Sequence, residues 1–419
     1  MCQFQKDFLL GAATAAHQVE GNNIHSDFWA MEQLPHTMYK EKSLDAVDHY
    51  RRYREDLKLL ADAGLNSYRF SIEWARIEPA QGEWIQAEID HYRDVLKTCR
   101  ELGITPIVTM HHFSSPKWLI EKGGWENPET VQWFARYCEK VVSDLGDLMG
   151  YVCTINEANM GLQISKIMQD SRRHAVSDVQ VGINDRQSNM RAYMKEAGEA
   201  FGVDPGNLHA FLSPRTAIGD GIIIRAHERA RDVMKEKCPH LKVGISLSLH
   251  DFQALPGGEA NARLEWVEEF THYLPYIHRD DFIGVQNYSR KLIGPEGTVQ
   301  PDADAPRTQM GYEDYPAAIG NVTRKVAQDF KGEILITENG ISTADDSRRI
   351  GFIREALAAV AACMAEGIEV KGYMYWTLLD NFEWQLGFTP TFGLIAVDRS
   401  SQTRLPKESL RFLGSRREH

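Results

Sequence analysis

One stretch constrains what this chain can fold into more than any other: Ile334-Leu335-Ile336-Thr337-Glu338-Asn339-Gly340. Its apolar and β-branched run reads as a parallel strand covered on both faces. Asn339-Gly340 is a turn pair that ends it. A glutamate at the C-terminal lip of a buried strand sits where an α/β barrel exposes its chemistry, whereas a surface glutamate would lie on a helix face or a polar loop. A second apolar run, Tyr151-Val152-Cys153-Thr154-Ile155-Asn156-Glu157-Ala158-Asn159, also ends on a glutamate preceded by a polar residue. Two strand-end carboxylates predict a paired acid and nucleophile.

The rest of the chain repeats this strand-then-helix unit. Strand-like runs are Phe8 to Gln18, Ser67 to Trp74, Thr105 to Phe113, the run ending at Glu157, Lys242 to Leu249, Asp281 to Tyr288, Glu333 to Glu338 and Val370 to Leu379. Between them lie helical stripes. Residues 48 to 63 place Tyr53, Leu57 and Leu60 at helical spacing and stop at Gly64; Ile89, Tyr92, Val95, Leu96, Cys99 and Leu102 share a face closed by Gly103. Asn127-Pro128 predicts a helix start with Val131, Phe134, Cys138, Val141 and Leu145 inward. Eight such units in 419 residues fit a (β/α)8 TIM barrel, one catalytic domain over residues 1–419. An open doubly wound sheet would carry a glycine-rich first turn, and no GxGxxG follows any of these strands. Residues 160–217, polar and low in strand signal, read as a long insertion after strand four, where loops shape access to a barrel mouth.

Charge and composition exclude other classes. The net charge of -12, with no basic tract, argues against a nucleic-acid partner. No apolar segment has the length of a membrane span and the start does not resemble a signal peptide, so no membrane partner and a cytoplasmic location are expected. Six cysteines are scattered singly without CxxC spacing, which predicts buried thiols and no zinc site. A homo-oligomer is compatible with this composition.

The expected strand ends carry a set of groups suited to a sugar: Gln18, Arg69, His112, Asn156, Glu157, Tyr288 and Glu338, with Trp376-Thr377-Leu378-Leu379-Asp380-Asn381-Phe382-Glu383-Trp384 after strand eight. Pyranose hydroxyls want hydrogen-bonding partners, and the C–H face of the ring packs on an aromatic side chain. One carboxyl kept neutral can protonate a glycosidic oxygen while the other attacks C1, and Arg69 with the Tyr288 hydroxyl would keep Glu338 ionised. That chemistry needs no cofactor. Adjacent His111 and His112 point to opposite faces of a strand and cannot both ligate one metal in the barrel.

Thr154-Ile155-Asn156-Glu157 resembles the T-[FLI]-N-E-P motif, and Ile336-Thr337-Glu338-Asn339-Gly340 the I-T-E-N-G motif, of the family 1 glycoside hydrolases, β-glucosidases and β-galactosidases on a TIM barrel. Phe8 to Gly21, Tyr68 to Pro79 and Trp376 to Trp384 are similar to three further family segments. The resemblance implies a retaining β-glycosidase acting on a terminal β-glucosyl, β-galactosyl or β-fucosyl residue of small β-glycosides or oligosaccharides. In that reading Glu157 is the acid/base, Glu338 the nucleophile, Arg69 and Tyr288 its orienting partners, and Gln18, His112, Asn156, Trp376, Glu383 and Trp384 hold the sugar.

Several positions depart from the motifs. Ala158 stands where proline is usual, Gln286 where an asparagine is usual, and Phe113 and Tyr312 where tryptophans are frequent. Those last two residues mark an expected aglycone site. Residues 160–217 lack the family's G-x-x-x-P-G segment. Members that take 6-phosphoglycosides lack the glutamate of D-N-F-E-W and add a lysine; Glu383 and Gln385-Leu386-Gly387 disfavour a phosphorylated substrate. Two alternatives stay open on sequence alone: a transglycosylating β-glycosidase and a catalytically silent glycan-binding barrel. Arg172-Arg173-His174 suggests either a solvated basic turn or a contact to an acidic aglycone.

Overall fold

The computed structural model of the chain describes residues 3–171 and 190–418; Arg172, Arg173 and His174 lie outside them. Eight parallel strands close into a barrel: β1 (Leu9–Ala13), β2 (Ser67–Ser71), β3 (Thr105–His111), β4 (Tyr151–Ile155), β5 (Lys242–Ser248), β6 (Phe282–Gln286), β7 (Glu333–Asn339) and β8 (Val370–Trp376). Each pairs with its neighbours in sequence and β8 closes onto β1, with Ala13 opposite Trp376. This is the (β/α)8 architecture the strand count predicts. The strands are almost wholly buried because helices cover the outside and side chains fill the inside, which is why they read as continuous apolar runs.

Helices follow the sequence stripes. His49–Asp62 buries Tyr53, Leu57 and Leu60, Gln86–Glu101 buries Ile89, Tyr92, Val95, Leu96 and Cys99, and Thr130–Leu145 buries Val131, Phe134, Cys138, Val141 and Leu145. Several expected strands were too long at their C-terminal ends. β1 stops at Ala13, and Gln18 sits in a helical turn, Ala16–Val19, beyond it. β2 stops at Ser71 before the turn Trp74–Ile77, and β8 stops at Trp376. The ladder ends at each lip because the chain there must leave its neighbours to turn outward, and periodicity does not register that point. Two additions carry no barrel signal: a sheet formed by Asp251–Ala254, Arg290–Gly294 and Gly297–Val299, and a hairpin of Ile395–Asp398 with Thr403–Pro406. Arg404 of that hairpin is buried on Asp56, which also takes a hydrogen bond from His49.

The described part of residues 160–217 is helical, Met160–Ser171 and Met190–Phe201, with a short turn at Pro205–Asn207. Helix Ala217–Lys237 then leads into β5. No described helix is long and apolar enough to cross a membrane.

Candidate active site

The C-terminal lip of the barrel gathers the expected residues around Glu338. The register of β7 shifts between Ile336 and Glu338 against β6, and between Ile336 and Asn339 against β8. Such an irregularity re-aims a side chain at a strand end. Gly340 then turns with its Cα so near the Trp376 carbonyl that a β-carbon there would lie 2.0 Å from that oxygen. Only glycine fits.

Glu338 is held from three directions. Arg69 Nη1 donates to Oε1 at 2.6 Å, Gln286 Nε2 donates to the same oxygen at 3.1 Å, and the Tyr288 hydroxyl donates to Oε2 at 2.6 Å. Arg69 also donates to Asn156 Oδ1, which takes a second bond from Gln286 Nε2 at 2.7 Å. The Asn156 amide in turn reaches His112 Nε2 at 3.2 Å, and that nitrogen lies 4.0 Å from Glu338 Oε1. Four strands, β2, β4, β6 and β7, are thereby tied together at the mouth. His111 points the other way, onto Ser115 and among Trp125, Phe134 and Phe211, as strand alternation requires.

Electrostatics separates the two carboxyls. Burial pushes Glu157 well above its ordinary value, and the negative charge of Glu338 adds to the rise. Burial also raises Glu338, but Arg69 and the Tyr288 hydroxyl oppose it. The pair therefore keeps its proton on Glu157 and its negative charge on Glu338. Burial, with Arg69 nearby, drives the His112 imidazole well below its usual value, so the ring is neutral. Burial and Glu338 raise Tyr288, which stays a donor.

On the other side of the mouth, Gln18 Nε2 donates to Glu383 Oε2 at 3.2 Å and to the Phe382 carbonyl at 2.7 Å. Trp376 and Trp384 both lie face to face with the His112 ring, at 5.7 and 6.1 Å. Phe113 backs Trp384 at 5.2 Å and packs on Phe211. The Tyr312 ring is 6.3 Å from Tyr288. Glu157, Phe113 and Trp384 all have left-handed backbones, with φ of 44°, 66° and 46°. Strain of about 1–3 kcal/mol at each such residue is tolerated where the geometry is needed for function.

Several buried polar atoms have no hydrogen-bond partner among the described residues: Gln18 Oε1, His112 Nδ1, Glu157 Oε2, Gln286 Oε1 and the Tyr312 hydroxyl. Buried polar atoms are normally satisfied. Five at one barrel mouth fit a polyhydroxyl ligand, whose donors and acceptors lie all around its ring.

Sequence reasoning left three residues out of the expected site. Gln286 stands out only as a departure from a motif, yet it donates to both Glu338 and Asn156. Ser246 Oγ on β5 reaches Asn156 Oδ1 at 3.4 Å, and no pattern marks it. His17, the neighbour of Gln18, stacks on Trp384 at 5.8 Å and hydrogen-bonds Glu32 at 2.8 Å. The alanine after Glu157 also acquires a reason: its N–H donates to the Ser246 carbonyl at 3.1 Å, a bond proline cannot make.

Known proteins carry the same architecture end to end. The sequence profile of glycosyl hydrolase family 1 matches residues 1–171 and 269–418. β-Glucosidase A of Thermotoga maritima is 31% identical over 97% of this chain and 96% of its own length. A bifunctional β-D-glucosidase/β-D-fucosidase of Bifidobacterium breve is 29% identical over 97% of this chain and 96% of its own. The crystal structure of a β-glycosidase, BGL167, aligns with a TM-score of 0.89 at 44% identity, covering 98% of this chain and 96% of that one. The chain belongs to glycosyl hydrolase family 1 and is a retaining β-glycosidase.

Proposed function

We propose that the whole chain works as one catalytic barrel that removes a terminal β-D-glucosyl residue from small β-glycosides or oligosaccharides, with Glu338 as nucleophile and Glu157 as acid/base. The observation that carries this reading is the asymmetry of the two carboxyls: three donors on Glu338, and on Glu157 a raised pKa with Oε2 unpartnered. In the first step a Glu338 oxygen bonds to C1 as the bond from C1 to the leaving oxygen breaks, and that oxygen takes the Glu157 proton. In the second, Glu157, now a carboxylate, takes a proton from water as the water oxygen attacks C1 and frees Glu338. Neutral His112, Gln18 and Glu383 would bind the sugar hydroxyls, with Trp376 and Trp384 beside the ring. Tyr312, with Phe113 behind Trp384, would border the aglycone. Glucose as the sugar follows the relatives named β-glucosidases, and β-fucoside is the second substrate to assay. The free, buried thiols of Cys99, Cys138, Cys153 and Cys363 support a cytoplasmic location.

Incubation with 2-deoxy-2-fluoro-β-glucosides carrying an activated leaving group, followed by mass spectrometry of intact protein and peptides, tests the assignment. Fluorine at C2 slows both steps and the leaving group restores the first, so the covalent adduct accumulates. A fluoroglucosyl mass on the peptide containing Glu338 is expected. Active enzyme that forms its adduct on another residue, or none, would overturn it.

A further inference from the structure

The turn that carries Glu157 is fastened from two sides. On the barrel side, Ala158 N–H bonds the Ser246 carbonyl, and the Asn159 side chain accepts from Ser248 N at 3.0 Å and donates to Ser248 O at 2.7 Å. On the outer side stands Arg215, near the end of the long segment after β4. Its Nη1 donates to the Ala158 carbonyl and its Nη2 to the Phe211 carbonyl at 3.3 Å, with the guanidinium 4.9 Å above the Phe211 ring. The backbone is stitched on as well, since Arg215 N–H donates to Ser165 Oγ at 2.7 Å and to the Gly161 carbonyl at 3.2 Å.

Two features make this more than a tie between loops. Arg215 is 7% exposed, yet it forms no ion pair among the described residues; a buried cation that relies on backbone carbonyls costs stability, which suggests it is retained for another reason. Its seat is shaped for it: a β-carbon at Gly161 would lie 2.6 Å from Nε, 2.7 Å from Cζ and 2.8 Å from Nη2. The carbonyl it grips belongs to the residue after Glu157, whose own backbone is held in the left-handed region. The charges that bear most on Glu157 are those of Glu338, Arg69, Glu383 and Glu269, whereas Arg215 touches this turn at the Ala158 carbonyl.

We propose that Arg215 is a positioning residue for the acid/base: seated on Gly161, it holds the Ala158 carbonyl and so keeps the Glu157 carboxyl on the leaving oxygen. The inference rests on the acid role given to Glu157 above. It assigns a task in catalysis to the segment after β4, whose sequence carried no such signal.

A misplaced acid hurts most where the leaving group needs its proton. Variants R215M and G161A, the second keeping the charge but filling its seat, are compared with wild type on aryl β-glucosides from 2,4-dinitrophenyl, which leaves unaided, to phenyl, which does not. For R215M, kcat/KM on the phenyl glucoside is expected to fall about ten- to a hundredfold, and on the dinitrophenyl glucoside by less than about threefold. G161A should show the same slope at smaller amplitude. An equal loss across the series in both variants, or no loss in either, would overturn the inference. If R215M does not fold, G161A decides by the same criterion. Wild-type protein that hydrolysed none of these glucosides would instead overturn the proposed β-glucosidase activity, and this inference with it.

Discussion

Replacing Tyr288 by phenylalanine isolates one bond of the cradle around Glu338, the proposed nucleophile. The ring contacts, 6.3 Å to Tyr312 and 6.1 Å to Phe392, survive the change, so the packing is kept and no large cavity opens. What disappears is a donor 2.6 Å from Glu338 Oε2 in a fully buried site. A hydrogen bond to a charged group contributes about 1.5–3 kcal/mol net. One pH unit corresponds to about 1.4 kcal/mol, so the loss raises the Glu338 pKa by about one to two units. The sign follows from the proposed role: as nucleophile Glu338 must be ionised to attack, and removing a donor penalises the carboxylate form. The acid limb of kcat/KM against pH should therefore move up by about one to two units. The basic limb should stay, because it reports Glu157, and Glu338 remains an anion there. Initial rates on 4-nitrophenyl β-glucoside across the pH range, for wild type and Y288F, give both limbs. An unmoved acid limb, or two limbs shifting together, would refute the division of labour between the carboxyls.

Three further outcomes follow from the same geometry. Trapping Glu338 as a fluoroglucosyl ester removes the negative charge that, after burial, most raises Glu157, so the Glu157 pKa read by 13C NMR should fall, and an unchanged value would refute the coupling. Q286A removes donors from both Asn156 and Glu338, and kcat/KM should drop about ten- to a hundredfold; a change within about twofold would reduce Gln286 to a bystander. Burial pushes the Asp27 carboxyl from 3.8 to about 7, despite donors from Ser115 and Phe28. Between those values the native state holds a proton that the unfolded chain releases, so stability falls as pH rises through that window. D27N should flatten that slope in urea titrations at a series of pH values, and a parallel slope would count against the buried neutral carboxyl.

The strand-end glutamates, the strand count and the helical stripes were legible in the sequence because each is local: a run of buried residues, a period, a turn pair. That suffices to place Glu157 and Glu338 at two strand ends on the same face of a barrel. Where strands stop was less legible, and Gln18 proved to lie in a helical turn past β1. Tertiary structure alone decided which donors meet which acceptors. Arg69, Asn156, Gln286 with Tyr288, and Glu338 come from four places in the chain, and only barrel closure and the register shift in β7 bring their atoms within hydrogen-bond reach. The same holds for Ser246 and Arg215, polar residues without any periodic mark, which matter through a single backbone carbonyl or amide oxygen. Sequence fixes residue type along one dimension; the division of charge between two buried carboxyls depends on distances across the barrel, which only the closed sheet sets.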